Sequence, residues 1–423
     1  MMYPNPVHPG TDVPPDSPTA GRKPEQTVPI SDSFVGALRT SSADGAEIAD
    51  AARLHGVQGL LYAHLARDRP AGMPDRVFQS LQQEARAIQL TNLQMMQELI
   101  LLAQAFDDAG IPLLTVKGPL LAQRDYGNLA LRRFGDVDVL VRPSDYPAAL
   151  DLFDALGYAP RDGIEKEEAR ASRDAGLGRA FVHPDRGVTV ELHDCLLNRS
   201  LSFRLSADRF WREAVRRPLG STHVYELSPA HRLLYLCAHG TKHHWSRLLW
   251  VVDVAQVVRR HADLDWDALL GTARRIGSLR VLLLGLRLTQ EWLDTDLPDA
   301  ITEAVAADPM IDTLVDEIET VWFGTDKGIY READWQTFWF TVRTRQRLRD
   351  NRSTILHYLR LAVTPTDNDR AFAGPAVPDS LLYLVRPVRL LADGLGLRSR
   401  PDGRRPERAV ERSSHPRAAD PNG

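Results

Sequence analysis

The sequence predicts an α+β protein: a small mixed-sheet domain embedded in a mostly helical chain. Three observations predict it. Short apolar runs bounded by turn residues crowd into residues 111–196, as strands of a small sheet would. Long stretches before and after them repeat apolar residues at three- and four-residue spacing, the helical period. Two carboxylates, Asp136 and Asp138, stand at i and i+2 inside one apolar run, and alternate strand residues leave the same face.

The elements follow in chain order. Residues 1–30 hold eight prolines and few large apolar groups, which predicts a disordered leader. Residues 31–110 read as a helical region. Within it, Pro74 to Gly110 carries Leu81, Ile88, Leu90, Leu93, Met96, Leu99, Leu102 and Phe106 at helical spacing, with Gly110 as its stop. An α/β domain is expected over 111–227. Ile111 to Val116 reads as a buried strand, and Pro119 suits the first turn of a helix ending near Tyr126-Gly127. Asp136 to Arg142 is the second strand, and Ser144 is expected to cap a helix from Tyr146 to Leu156. Phe181-Val182-His183 and Val188 to His193 read as two strands joined by the turn Pro184 to Gly187. Residues 228–396 read as helical. Ser228-Pro229 starts one helix, a second carries Trp245 to Val258, and others fall around 266–295, 300–322, 334–360 and 379–394. The arginine- and proline-rich stretch 397–423 predicts a disordered tail.

Bulk properties exclude several functions. The chain has 423 residues, enough for two or three domains, and 43% hydrophobic residues, enough for a core. A net charge of −4 makes nucleic acid an unlikely general partner. Cys195 and Cys237 are too few for a disulfide framework or a cysteine zinc site, and suit a reducing, cytoplasmic setting. The N-terminus has neither the basic nor the apolar segment of a secretory signal. No run of eighteen apolar residues occurs, so no membrane partner is expected. Walker-type loops, dinucleotide fingerprints and glycine-flanked serine elbows are missing from the sequence. His239 and His243 are spaced like helical zinc ligands, but Gly240 stands where a zinc protease needs glutamate.

What remains is an acidic constellation. Asp136 and Asp138 on one strand face repel each other unless a cation lies between them, and Mg²⁺ (or Mn²⁺) favours such oxygen ligands. Glu191, flanked by Val190 and Leu192, is the natural third acid. Together the three are the expected catalytic and metal-binding residues. His193 shares the face of Glu191. It is read as a hydrogen-bonding group for a carboxylate or substrate, outside the primary ligand set. Lys117-Gly118 follows a strand and precedes a helix, where glycine admits close backbone approach and lysine neutralises phosphate. Arg133, or its neighbour Arg132, offers a planar fork for phosphate oxygens. Asp-x-Asp also occurs on solvated edge strands. The joint presence of Lys117-Gly118 and Glu191 favours metal and triphosphate instead. His239, Lys242, His243 and Trp245 read first as helix packing, with Lys242 near a phosphate as the alternative. Asp253, inside an apolar helix, needs a partner, for which Lys242 or Arg247 is expected. Trp250, Trp266, Trp292 and Trp322 read as core anchors.

These residues resemble the uncharacterised nucleotidyltransferases of the DNA polymerase beta-type superfamily, found with bacterial natural-product clusters such as those of lasso peptides. The resemblance lies in Leu114-Thr115-Val116-Lys117-Gly118-Pro119, Tyr126, Arg133 to Val141 and Val190-Glu191-Leu192-His193. It extends to His239 to Trp245 with Asp253, and to Leu384-Val385-Arg386-Pro387. It implies a nucleotidyltransferase domain among helices, with Asp136 and Asp138 on the metal and Glu191 as third acid. It also implies a nucleoside triphosphate such as ATP as one partner. The acceptor would be a hydroxyl or phosphate of a small molecule, peptide or protein. The wider superfamily usually carries glycine-serine where this chain has Lys117-Gly118. A non-catalytic module that keeps the shape within a biosynthetic assembly is the alternative reading.

Overall fold

Apolar spacing builds the longest helix among the described residues. The computed structural model describes residues 45–69, 73–161, 178–196, 207–323, 335–346, 351, 355–356, 363–365, 367–374 and 377–394. Helices α1 (Gly45–His55), α2 (Gln58–Leu65) and α3 (Asp75–Asp108) come first. In α3 the residues Leu81, Ala85, Ile88, Asn92, Met96, Leu99, Ala103 and Phe106 make one buried stripe. Leu90 and Leu93, expected on that stripe, are exposed. The stripe passes through Asn92 instead, whose side-chain amide donates to the carbonyls of Leu129 (2.6 Å) and Arg132 (2.7 Å). With both amide protons so engaged, Asn92 pins the loop that precedes the acidic strand. Gly110, at φ 68°, ends the helix in the left-handed region, and Ile111 N–H returns to the Phe106 carbonyl at 2.8 Å.

Seven short strands follow: β1 (Leu114–Thr115), β2 (Val137–Leu140), β3 (Ala159–Pro160), β4 (Arg179–Val182), β5 (Thr189–His193), β6 (Val215–Leu219) and β7 (Thr222–Glu226). They form one mixed sheet in the order β3-β4-β5-β2-β1-β7-β6. The central pair β2–β5 is parallel, β1 is antiparallel to β2, and β1 is parallel to β7. Helices α4 (Pro119–Arg124), α5 (Tyr146–Ala155) and α6 (Ala207–Arg212) connect them. Three strands escape the sequence reading. β3 has two residues, and the β6–β7 hairpin begins Val-Arg-Arg-Pro-Leu, too polar to register as an apolar run. Pro218 is tolerated there because β6 is an edge strand. Ser144 does not cap α5. Asp145 holds the N-cap position without a side-chain bond, and Ser144 Oγ donates to Asp145 Oδ1 at 3.0 Å.

The period-two alternation of the strands divides two cores. Val137, Val139, Val190 and Leu192 pack on one face with Phe106, Phe153 and Phe181. Phe153 centres this layer, 4.8 Å from the Tyr158 ring and 4.9 Å from Phe181. Leu114, Val116 and Leu140 face the other way, into a second core shared with the later helices.

Those helices are α7 (Pro229–Lys242), α8 (Leu248–Arg260), α9 (Trp266–Ile276), α10 (Leu279–Leu293), α11 (Asp299–Ala306), α12 (Met310–Phe323) and α13 (Trp335–Arg343). Ser228 caps α7, its hydroxyl accepting from His231 N–H. The stretch expected as one helix over 266–295 is two, separated at Gly277 (φ 77°). The stretch over 300–322 is likewise two, separated around Pro309. Over 334–360 the described helix is α13, and most residues beyond it lie outside the described set. α8 starts at Leu248 and not at Trp245, because His244 and Trp245 adopt φ 53° and 49°. Trp245 is fully buried against two glycines. A Cβ on Gly240 would fall 2.5 Å from the indole, and one on Gly285 would fall 3.0 Å from it. Trp245 is therefore a packing residue.

Residues from 355 onward form a separate unit. It contains α14 (Asp367–Ala373) and α15 (Asp379–Gly394), joined by buried Asp369, which accepts from Arg386 Nη1 at 2.9 Å and Arg389 Nε at 2.6 Å. The expected leader (1–30) and tail (397–423) lie outside the described residues. Among the described residues, no helix is long and apolar enough to cross a membrane.

Candidate active site

Strand register assembles the site. β2 and β5 run parallel, with Asp138 opposite Glu191 and Leu140 opposite His193. Directly opposed residues point to the same sheet face, and so do residues two apart on one strand. Asp138, Glu191 and His193 therefore converge, while their valine and leucine neighbours fill the opposite core. His193 Nε2 lies 3.4 Å from Asp138 Oδ1 and 3.4 Å from Glu191 Oε2. Lys117, just beyond β1, brings its Nζ to 3.1 Å from Asp138 Oδ2. Asp138 is almost fully buried, whereas the Glu191 side chain keeps 34% of its exposure and so reaches the opening.

The charges balance internally. Burial works against the ionised Asp138, but Lys117 and His193 outweigh it and hold its carboxyl far below the usual range. Burial likewise works against the Lys117 ammonium, and Asp138 reverses this and raises its pKa. His193 beside Glu191 lowers that carboxyl. His193 itself is disfavoured as a cation by burial, yet the two carboxylates push it up to about 9. Asp136, partly buried ahead of β2, is pushed up to about 6 by burial and by the neighbouring Asp138, with Lys117 opposing. Two acids two residues apart thus hold their protons very differently, a separation typical of chemically active pairs.

Neighbouring elements supply the frame. Gly118 has φ 66° and ψ −130°, a conformation a side chain would strain, and a Cβ there would meet the Asp136 carbonyl at 3.4 Å. The helix that follows it, α4, has only six residues. A phosphate role therefore rests on Lys117 itself rather than on a helix dipole. Arg133 is exposed, whereas Arg132 is buried and engages Asp253 through Nε at 2.7 Å and Nη2 at 2.8 Å. Tyr126 donates to the same Asp253 oxygen at 2.6 Å. The expected partners of Asp253, Lys242 and Arg247, are thus replaced by Arg132 and Tyr126, which tie the acidic strand to α8. Lys242 ends α7; burial, helped by Lys117 at His239 and by Lys242 at His243, keeps both histidines below their ordinary range, His243 at about 3.

Two site residues escape the sequence reading. Tyr235 on α7 is buried within electrostatic reach of Lys117, Asp138 and Glu191, and burial first of all raises its phenol pKa. Its ring stacks on His239 at 5.9 Å, His239 lies 4.7 Å from His243, and Trp250 closes the row 5.1 Å from His243. The spacing Tyr235, His239, His243 was the available signal, one face of a helix. Trp250 is accordingly both half-buried and in contact with this row. Gly178 is the second. A Cβ there would fall 2.0 Å from the His193 ring, so only glycine leaves the imidazole its place. No sequence signal marked it.

Among the described residues, Asp138, Glu191 and His193 form a group with ligand atoms within 4.8 Å of one another, and Asp136 stands outside it. Asp138 Oδ2 and His193 Nε2 are buried and lack a hydrogen bond of proper direction, despite their charged neighbours. Asp138 Oδ2 has the Lys117 ammonium at 3.1 Å, so the unbonded Nε2 of His193, gathered with two carboxylates, is the atom that suits a divalent cation.

A family model described as an uncharacterised nucleotidyltransferase matches residues 41–294. Among solved structures, the chain is similar to an antigenic nucleotidyltransferase-like protein from Paracoccidioides brasiliensis, at 15% identity and a TM-score of 0.33, over 51% of this chain and 93% of that one. No curated protein matches the chain.

Proposed function

The chain belongs to the family of uncharacterised nucleotidyltransferases, and on that premise we propose a divalent-metal-dependent transfer of a nucleoside monophosphate from a nucleoside triphosphate to an acceptor hydroxyl or phosphate. The observation that carries the proposal is the register pair Asp138–Glu191, which places two carboxylates on one sheet face. In such a transfer the acceptor oxygen bonds to the α-phosphorus, the α–β bridging bond breaks and pyrophosphate leaves. A bound Mg²⁺ or Mn²⁺ would neutralise the charge that develops on the phosphate oxygens. Asp138 and Glu191 would hold it, with Asp136 beside them. Lys117 would place its ammonium on the triphosphate, with Gly118 allowing the backbone close approach. Arg133 and Lys242 are the further phosphate contacts proposed. Glu191, the most open of the group, would orient the acceptor hydroxyl and take its proton.

In this reading residues 111–227 are the transferase domain, flanked along the chain by the helical regions 31–110 and 228–396, and helices that precede residue 355 supply the acceptor surface. The bacterial, cytoplasmic and biosynthetic setting belongs to the same proposal. Two thiols without a disulfide suit it. The test is a screen of the four nucleotides, labelled at the α-phosphate, against candidate acceptors with Mg²⁺ or Mn²⁺. Label transfer that depends on the cation is expected, and failure with every nucleotide and acceptor would count against transfer.

One observation favours a second reading, a nucleotidyltransferase-like binding module. Lys117 already neutralises part of Asp138 from within the protein. Calorimetry separates the two: the transferase binds a metal–nucleotide complex, and a module that binds other partners shows no heat with any nucleotide.

A further inference from the structure

The nucleotidyltransferase reading leaves open which cation the site selects, and the inference here rests on that reading. We propose that a bound cation displaces the Nε2 proton of His193 to solvent and takes that nitrogen as a ligand, joining Asp138 and Glu191 in a set that prefers Mn²⁺ to Mg²⁺.

Geometry carries this assignment. Nε2 is 3.4 Å from Asp138 Oδ1 and 3.4 Å from Glu191 Oε2. An imidazolium bonded to carboxylates would close to about 2.7–2.9 Å. Nε2 makes no directed hydrogen bond to either oxygen. Ligand atoms about 2.1 Å from a shared ion stand roughly 3.0–3.4 Å apart in octahedral or tetrahedral arrangements. The two separations from Nε2 fit that case better than a hydrogen-bonded bridge, and all three ligand atoms lie within 4.8 Å of one another.

The two oxygens of Asp138 divide their neighbours. Oδ2 faces Lys117 at 3.1 Å, and Oδ1 faces His193. The ammonium therefore neutralises one oxygen and leaves the other to the ion. Gly178 also leaves the ring its room, since a Cβ there would fall 2.0 Å from it.

Ligand chemistry sets the preference. Mg²⁺ takes oxygen ligands, whereas an imidazole nitrogen suits first-row transition ions. Mn²⁺ shares the carboxylate ligands of Mg²⁺ and, as a first-row transition ion, tolerates a nitrogen better, so one nitrogen among two carboxylates shifts the site from Mg²⁺ toward Mn²⁺.

The test is pulsed electron paramagnetic resonance of Mn²⁺ bound to the full chain with ¹⁵N-labelled histidine, alongside Mn²⁺ and Mg²⁺ titrations of the wild type, His193→Gln and Asp138→Asn. The expected result is a ¹⁵N coupling from a directly bound imidazole, absent in His193→Gln. Mn²⁺ should bind the wild type at least about tenfold more tightly than Mg²⁺, and His193→Gln should lose most of that margin. The labelled wild type decides the ligand on its own should the variant fold poorly. Mn²⁺ bound through Asp138 without nitrogen coupling, or coupling that persists in His193→Gln, overturns the assignment and leaves the nucleotidyltransferase reading standing. No Mn²⁺ binding at all overturns both.

Discussion

Asp138 is almost fully buried, and its charge is tolerable only because Lys117 and His193 face its two oxygens. Removing one member of a buried pair costs more than the pair contributes, since it strands the other charge. Arg132 and Asp253 show the same logic beside the site. Arg132→Met should lower stability by about 3–5 kcal/mol, because it leaves Asp253 with Tyr126 alone. Denaturant unfolding measures this, and a loss below about 1 kcal/mol would show that Arg132 does not hold the acidic strand. The sequence made Asp138, Glu191 and Lys117 legible as residues, because carboxylates between strand valines and a lysine before glycine are local signals. It did not make Arg132 distinguishable from Arg133. Adjacent arginines differ only in which way the loop turns them, and that is decided by Asp253, more than a hundred residues later.

At the scale of elements, α3 shows what periodicity conveys and where it stops. The helix and its glycine stop follow directly from spacing, yet Leu90 and Leu93 sit outside the buried stripe and Asn92 within it. Hydrophobicity alone misplaces such a face when a polar side chain finds carbonyl partners. Leu90→Glu should therefore change stability by no more than about 0.5 kcal/mol, whereas Asn92→Leu should cost about 1–3 kcal/mol through the stranded Leu129 and Arg132 carbonyls. Equal effects in thermal melts would refute the assignment of faces. The β6–β7 hairpin was illegible for a related reason. Its strand pattern is polar because it lies at the sheet edge, and its place beside β1 is a long-range pairing. The α7–α8 turn was legible as packing, but the left-handed His244 and Trp245 were not, since their conformation is imposed by the slot between Gly240 and Gly285.

For the whole molecule, buried neutral histidines make stability depend on acid. His55 is buried with its Nδ1 accepting from Leu248 N–H at 3.2 Å, and burial, helped by Arg247, pushes its pKa down to about 4. His244, pushed down to about 3 by burial, acts in the same direction. At these two sites the folded state thus resists protonation while the unfolded chain takes up protons near pH 6.5, so their contribution to stability is full above that pH and falls as pH drops toward 4. His55 alone should contribute a loss of about 2 kcal/mol between pH 7 and pH 5. Denaturation midpoints at the two pH values check this, and His55→Gln should flatten the dependence; an unchanged slope would contradict it. Fold class and the acidic strand pair emerged from short-range patterns, while the frame of ion pairs that seats the sheet on the helices emerged only in three dimensions. The same frame positions the centre on which the functional reading depends. The most direct test of that centre is cation-dependent pyrophosphate release by the wild type against Asp138→Asn, with folding matched by circular dichroism. A loss of at least about a thousandfold is expected, consistent with several kcal/mol of charge stabilisation held by this carboxylate. Turnover equal to the wild type would contradict the assignment of Asp138 to the reacting centre.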